Sequence, residues 1–144
     1  FESQARLIVF LLAESTALRF MAQPGSEHYS SASVLAQSFF EIEKILFIDR
    51  KSFFPPPKID SILVKFSRKP LTREITLKEL HFYKLLFANR RKTLLNCLAN
   101  TVSQKDKWIG WLQEMRMNPK ERIENLTISD MQKLYMKAKE NRLV

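Results

Sequence analysis

The 144-residue chain is predicted to be an α+β protein, with strands in its first half and helices alone in its second. Three observations carry the prediction. Residues 6–12, 42–48 and 59–66 are apolar or alternating runs rich in Ile, Leu, Val and Phe, the pattern of strands. Residues 67–75 are polar and contain Pro70, which marks a domain boundary. Beyond it the apolar residues recur at helical spacing. The expected organisation is therefore one domain over residues 1–69 and a small all-α domain over residues 70–144.

Each element has a local reason. Residues 6–12 alternate little and read as a buried strand. Residues 14–22 carry helical spacing through Ala17, Leu18 and Met21, and Pro24-Gly25-Ser26 ends that helix. Ser31 or Ser33 caps a short helix reaching Phe40. Residues 41–48 then read as a strand, and residues 59–66 as its antiparallel partner, with Ile59, Ser61, Leu63 and Lys65 alternating against Asp60, Ile62, Val64 and Phe66 and one face more apolar. In the second half, Thr76-Leu77-Lys78-Glu79 and Thr127-Ile128-Ser129-Asp130 place an acid three residues after a capping hydroxyl, so each starts a helix. The last helix turns Ile128, Met131, Leu134, Tyr135 and Ala138 inward and leaves Lys133, Lys137 and Lys139 to water. Leu94, Leu98 and Val102 form a second stripe, and Trp108, Ile109, Leu112 and Met115 a third.

Between the paired strands lies Phe53-Phe54-Pro55-Pro56-Pro57-Lys58-Ile59-Asp60-Ser61. Each proline locks φ at about −65° and pushes the preceding residue toward the extended region, so this is a rigid, extended, donor-poor loop beside two aromatic rings. Fixed loops at strand ends are favoured places for sites. An ordinary connection whose phenylalanines plug a core has the same composition.

Composition excludes several classes. At 45% hydrophobic the chain is neither disordered nor fibrous. Its longest apolar run, residues 7–13, is far short of the roughly 20 residues that span a bilayer. Cys97 is the one cysteine, so no disulfide forms within a chain, and a reducing, cytoplasmic compartment is expected. His28 and His81 have no cysteine or carboxylate at ligand spacing, and no metal site is expected. The net charge of +9 is uneven: residues 1–69 hold 9 Lys and Arg against 7 Asp and Glu, residues 70–144 hold 15 against 8. A basic second half points to a polyanion such as RNA or DNA, with a merely solvated face as the alternative.

A further segment, Phe87-Ala88-Asn89-Arg90-Arg91-Lys92-Thr93-Leu94-Leu95-Asn96-Cys97-Leu98, completes a pattern with Pro24-Gly25-Ser26, Tyr29-Ser30, Ser33-Val34-Leu35, the Phe-proline loop and Arg122-Ile123-Glu124-Asn125-Leu126. In that order these segments make the chain resemble the small-subunit ribosomal RNA adenine N6-dimethyltransferases of the KsgA type. The resemblance implies that residues 1–69 are the last strands and helices of a Rossmann-like methyltransferase sheet, and that residues 70–144 are a helical rRNA-docking domain. Family members also carry a glycine-rich donor loop and an N-L-P-Y motif. Neither is present here, and the chain opens on Phe1, so it reads as the C-terminal portion of a longer enzyme, inactive alone, whose S-adenosyl-L-methionine is bound by the preceding part.

The implied reaction moves two methyl groups from S-adenosylmethionine to N6 of each of two adjacent adenines in a small-subunit rRNA 3′-terminal hairpin during ribosome maturation. N6 is a poor nucleophile because its lone pair is delocalised into the ring, so the base must be extruded and its plane held. By motif position Phe53 is the base-stacking aromatic, with Pro55 and Pro56 keeping the ring in place and Lys58 within reach of a phosphate. Arg90, Arg91 and Lys92, three cations expected near a helix start, oppose the macrodipole there. That placement calls for an anionic partner, either RNA phosphate or an internal carboxylate such as Glu124. Arg122 with Glu124 reads as a salt bridge ordering the turn before the last helix. Asp60 and Ser61 read as strand-start residues, and Trp108 and Trp111 as core despite Lys105 and Lys107 nearby. Two other readings fit the charge: a non-catalytic RNA- or DNA-binding module related to the family, and a plain interaction scaffold. The related methylases of macrolide resistance share the Phe-proline loop but not the R-R-K-T-L-x-N helix.

Overall fold

A computed structural model describes residues 5–70, 76–102 and 104–144. The chain divides into two compact units, Phe1–Gln23 with Glu27–Arg73 and Pro24–Ser26 with Glu74–Val144. The tripeptide Pro24-Gly25-Ser26 thus groups with the second unit, although it lies in the domain expected over residues 1–69. Of the polar stretch placed at the boundary, residues 71–75 lie outside the described residues.

The first unit is a three-stranded antiparallel sheet with two helices. In chain order these are β1 (Leu7–Ala13), α1 (Glu14–Met21), α2 (Ser31–Phe39), β2 (Phe40–Ile48) and β3 (Ser61–Arg68), with strand order β1-β3-β2. β3 is central because it alone alternates buried and half-buried along its length. Its Ile62, Val64 and Phe66 face Leu12, Phe10 and Ile8 of β1 across the ladder, and together with Ala17 they build the core. The hydroxyl of Ser33 donates to Arg19 O at 2.6 Å, and the Gln37 amide donates to Phe20 O and Ala22 O at 2.9 and 2.7 Å. These bonds satisfy the orphan carbonyls that end α1. The start of α2 is set one residue earlier than expected, at Ser30, whose N–H donates to Ser33 Oγ at 3.0 Å.

β1 forms where expected but is not a buried strand. Leu7, Val9 and Leu11 are about half exposed on the face opposite the core residues, and Phe10 is 50% exposed. Among the described residues β1 pairs only with β3, and a run of apolar residues does not reveal which faces are covered. In β2 the ladder slips between Lys44 and Leu46, leaving Ile45 as a bulge residue.

The second unit holds α3 (Leu77–Ala88), α4 (Leu94–Val102), α5 (Lys105–Glu114) and α6 (Ile128–Glu140). Thr76 Oγ1 accepts from Glu79 N at 3.2 Å and pairs with the Tyr135 hydroxyl at 3.0 Å. Thr127 and Asp130 form the expected reciprocal cap, each oxygen accepting a backbone N–H at 3.2 Å. Met131, Leu134, Tyr135 and Ala138 are buried along α6. Lys137, expected in water, instead meets Glu114 at 2.7 Å and lies over the Trp111 ring, a use of its long stem that spacing does not foretell. Gly25, at φ +83°, donates its N–H to Glu124 O at 2.6 Å. The left-handed backbone there is why the position holds glycine.

Candidate nucleic-acid interface

The loop after β2 is braced at its base. Asp49 Oδ1 accepts from Lys51 N at 2.7 Å, an Asx turn that opens a 3-10 turn over Arg50–Ser52. Asp60 Oδ1 accepts from Arg50 N at 2.9 Å, and the Arg50 guanidinium donates to Lys58 O at 3.1 Å. These bonds close both arms of the loop onto each other and leave residues 54–57 as its tip. Asp60 thus satisfies nearby backbone, as its position at a strand start implies. The tip is not the continuous extended stretch expected of three prolines: the Phe54–Pro55 peptide is cis and the chain bends over residues 53–55. Phe53 is half-buried, whereas Phe54, Pro55, Pro56 and Lys58 are exposed. The bracing by Arg50 was not legible in the sequence, since its acceptor is a backbone carbonyl eight residues away.

Arg90, Arg91 and Lys92 lie just before a helix start but outside the helix, and they also follow the end of another. α3 ends at Ala88 and α4 begins at Leu94, so the three cations occupy the turn between them. There they follow the C-terminal carbonyls of α3, where positive charge is favoured, and the expected electrostatic penalty is offset. The turn is fixed from several sides. Lys92 N donates to Asn89 O at 2.8 Å, Leu94 N to Glu121 O at 2.6 Å and Leu95 N to Pro119 O at 3.1 Å. Arg90 Nε meets Glu124 Oε2 at 2.9 Å, and Arg122 approaches the other carboxylate oxygen at 3.6 Å. One carboxylate therefore holds two guanidiniums, so Arg90 has the internal partner and Arg91 and Lys92 remain exposed.

Cys97, buried in α4, closes the same turn from beneath. Its thiol lies 3.1 Å from Asn89 O and 3.7 Å from Lys92 O, the carbonyls flanking Arg90 and Arg91. Burial pushes the thiol above its ordinary value, with Lys92 pulling the other way. The folded state therefore keeps this proton where the unfolded chain has released it, and stability falls as pH rises beyond the ordinary thiol range. Urea unfolding at rising alkaline pH is expected to show that fall, and Cys97→Ser to flatten it.

Trp108 is fully buried, with its ring 5.0 Å from that of half-buried Trp111 in an edge arrangement, while Lys105 and Lys107 are exposed. Among the described residues no group of three His, Cys, Asp or Glu is arranged to hold a metal ion, and no helix is long and apolar enough to cross a membrane. Gly25 packs in a turn 3.6 Å from Asn125, measured from the Cβ it lacks, and Gly110 lies within α5 with open space around it.

Two solved structures share the fold: a dimethyladenosine transferase from Plasmodium falciparum, with TM-score 0.87 over 99% of this chain and 60% of that one at 22% identity, and the 23S rRNA methyltransferase ErmE, with TM-score 0.62 over 92% of this chain and 54% of that one at 18% identity. The family model for ribosomal RNA adenine dimethylase matches residues 1–140, and the chain belongs to that family. It is 33% identical over 138 residues to ribosomal RNA small subunit methyltransferase A of Staphylococcus haemolyticus, covering 91% of this chain and 47% of that protein. To the protein of the same name from Phytoplasma australiense it is 33% identical over 130 residues, covering 86% and 46%. The chain spans about half the length of these curated relatives.

Proposed function

We propose that the chain is the C-terminal part of a cytoplasmic rRNA adenine N6-dimethyltransferase that modifies two adjacent adenines in a small-subunit rRNA 3′-terminal hairpin during ribosome maturation. The observation that carries this reading is the match of residues 1–140 to the family model. In it, the first unit contributes the end of the catalytic sheet and presents Phe53 to the plane of an extruded adenine, on a loop whose base is hydrogen-bonded shut. A held aromatic plane of this kind stabilises a base by about 1–3 kcal/mol. Pro55 and Pro56 limit the loop's freedom, and Lys58 meets a phosphate. In the second unit Arg91 and Lys92 are the cations that dock RNA, while Arg90 holds their turn through Glu124.

S-adenosylmethionine supplies the methyl groups and, in this reading, is bound outside the chain. The two glycine environments support that, since neither offers a donor loop. The isolated chain is accordingly inactive and does not bind the donor. Titration calorimetry with S-adenosylmethionine is expected to show no heat of binding to the 144-residue chain, and saturable binding would contradict this assignment.

A further inference from the structure

We infer that Phe54 is a second base-stacking group, serving the nucleotide that flanks the one facing Phe53; this rests on the RNA reading of the loop above. Phe54 is 100% exposed, beyond any other large apolar side chain described, the next being Leu77 at 83%. An aromatic ring left wholly in water forfeits its burial free energy, so it contributes nothing to the folded core. The backbone that carries the ring is nevertheless braced. It follows directly on the backbone bond from Phe53 N to Arg50 O at 3.3 Å and precedes three prolines, on a loop whose arms are joined through Arg50 and Asp60.

The exposure of the two rings separates their roles. Phe53 is half-buried on the side of the loop base, whereas Phe54 has no part of its ring covered. The half-buried Phe53 ring and the fully exposed Phe54 ring therefore present different surfaces, and a single base does not lie against both. Lys51 and Lys58, both exposed, flank the tip. An aromatic platform between cations is the make-up of a site for unstacked, single-stranded nucleic acid. Extruding a base also opens a gap in the stack, which apolar side chains fill in other nucleic-acid complexes. The flanking lysines favour a polyanion over an apolar protein surface as the partner.

The test uses the 144-residue chain and the small-subunit rRNA hairpin carrying 2-aminopurine at either the target adenine or its neighbour. Phe54→Ala is expected to weaken hairpin binding by about 5- to 150-fold, as the loss of one stack does. It should abolish the fluorescence change at the neighbouring position and keep the change at the target, with melting temperature and salt dependence unaltered. Phe54→Trp should restore both affinity and signal. Phe53→Ala should show the opposite pattern of lost signals. Binding by Phe54→Ala within about twofold of wild type, with both signals kept, overturns the inference, and so does altered self-association with RNA binding intact. If the wild-type chain fails to bind the hairpin better than a random polyanion, the RNA reading falls and takes this inference with it. Failure confined to Phe54→Ala leaves that reading standing.

Discussion

Phe66→Ala is expected to lower the unfolding free energy of the chain by about 3–5 kcal/mol, the cost of emptying a well-packed phenylalanine site. Phe66 is 6% exposed and lies on the central strand β3, paired with Ile8 on one side and Ile42 on the other. Phe10, Phe20 and Phe40 each place a ring 5.8 Å from it, edge to face. Each such pair adds roughly 0.5–1.5 kcal/mol beyond the area it buries. Phe66→Leu keeps much of the volume but loses the ring contacts, and should fall between the two. Urea unfolding checks both, and a loss under about 1 kcal/mol for Phe66→Ala would contradict this account of the core.

Arg90→Ala and Arg91→Ala, adjacent and chemically identical changes, are expected to act on different properties. Removing Arg90 leaves Glu124, whose side chain is 20% exposed, with Arg122 at 3.6 Å. A charged hydrogen bond at a partly covered site is worth about 1.5–3 kcal/mol, and with Arg90 itself 39% exposed the expected loss is about 2 kcal/mol. Arg91 is exposed, and among the described residues no carboxylate lies at ion-pair distance from it, so Arg91→Ala should shift stability by no more than about 0.5 kcal/mol. Arg90→Lys should recover only part of the loss, because an ammonium does not reproduce the guanidinium geometry. Equal effects in urea unfolding would remove the distinction between a clamp and a displayed cation.

Local signals in the sequence located most elements. Thr76 and Thr127 each satisfy the N–H three residues on, and the alternation of residues 59–66 separates the two faces of β3, of which Ile62, Val64 and Phe66 are buried. The misses are non-local. Nothing within residues 87–98 announces that a turn holds residues 89–93 before the helix starts at Leu94, because the groups that receive Leu94 N and Leu95 N are carbonyls of Glu121 and Pro119. The same turn places Arg90, Arg91 and Lys92 between the end of α3 and the start of α4. The exposure of β1 was hidden for a related reason, since burial depends on what packs on each face rather than on the run itself. At the proline loop, residue types announced rigidity, but the bracing by Arg50 and the outward placement of Phe54 required coordinates.

The most direct test of the central claim, that the second unit docks ribosomal RNA through Arg91 and Lys92, is affinity for the small-subunit rRNA 3′-terminal hairpin as a function of salt. It is measured on the wild-type chain and on the Arg91→Ala, Lys92→Ala double variant. Each phosphate contact adds about 0.7–0.9 to the slope of log K against log salt. The account predicts that the chain binds and that the double variant's slope falls by roughly 1.4–1.8, with its fold intact. Binding no stronger than to a random polyanion, or an unchanged slope in the variant, would contradict it.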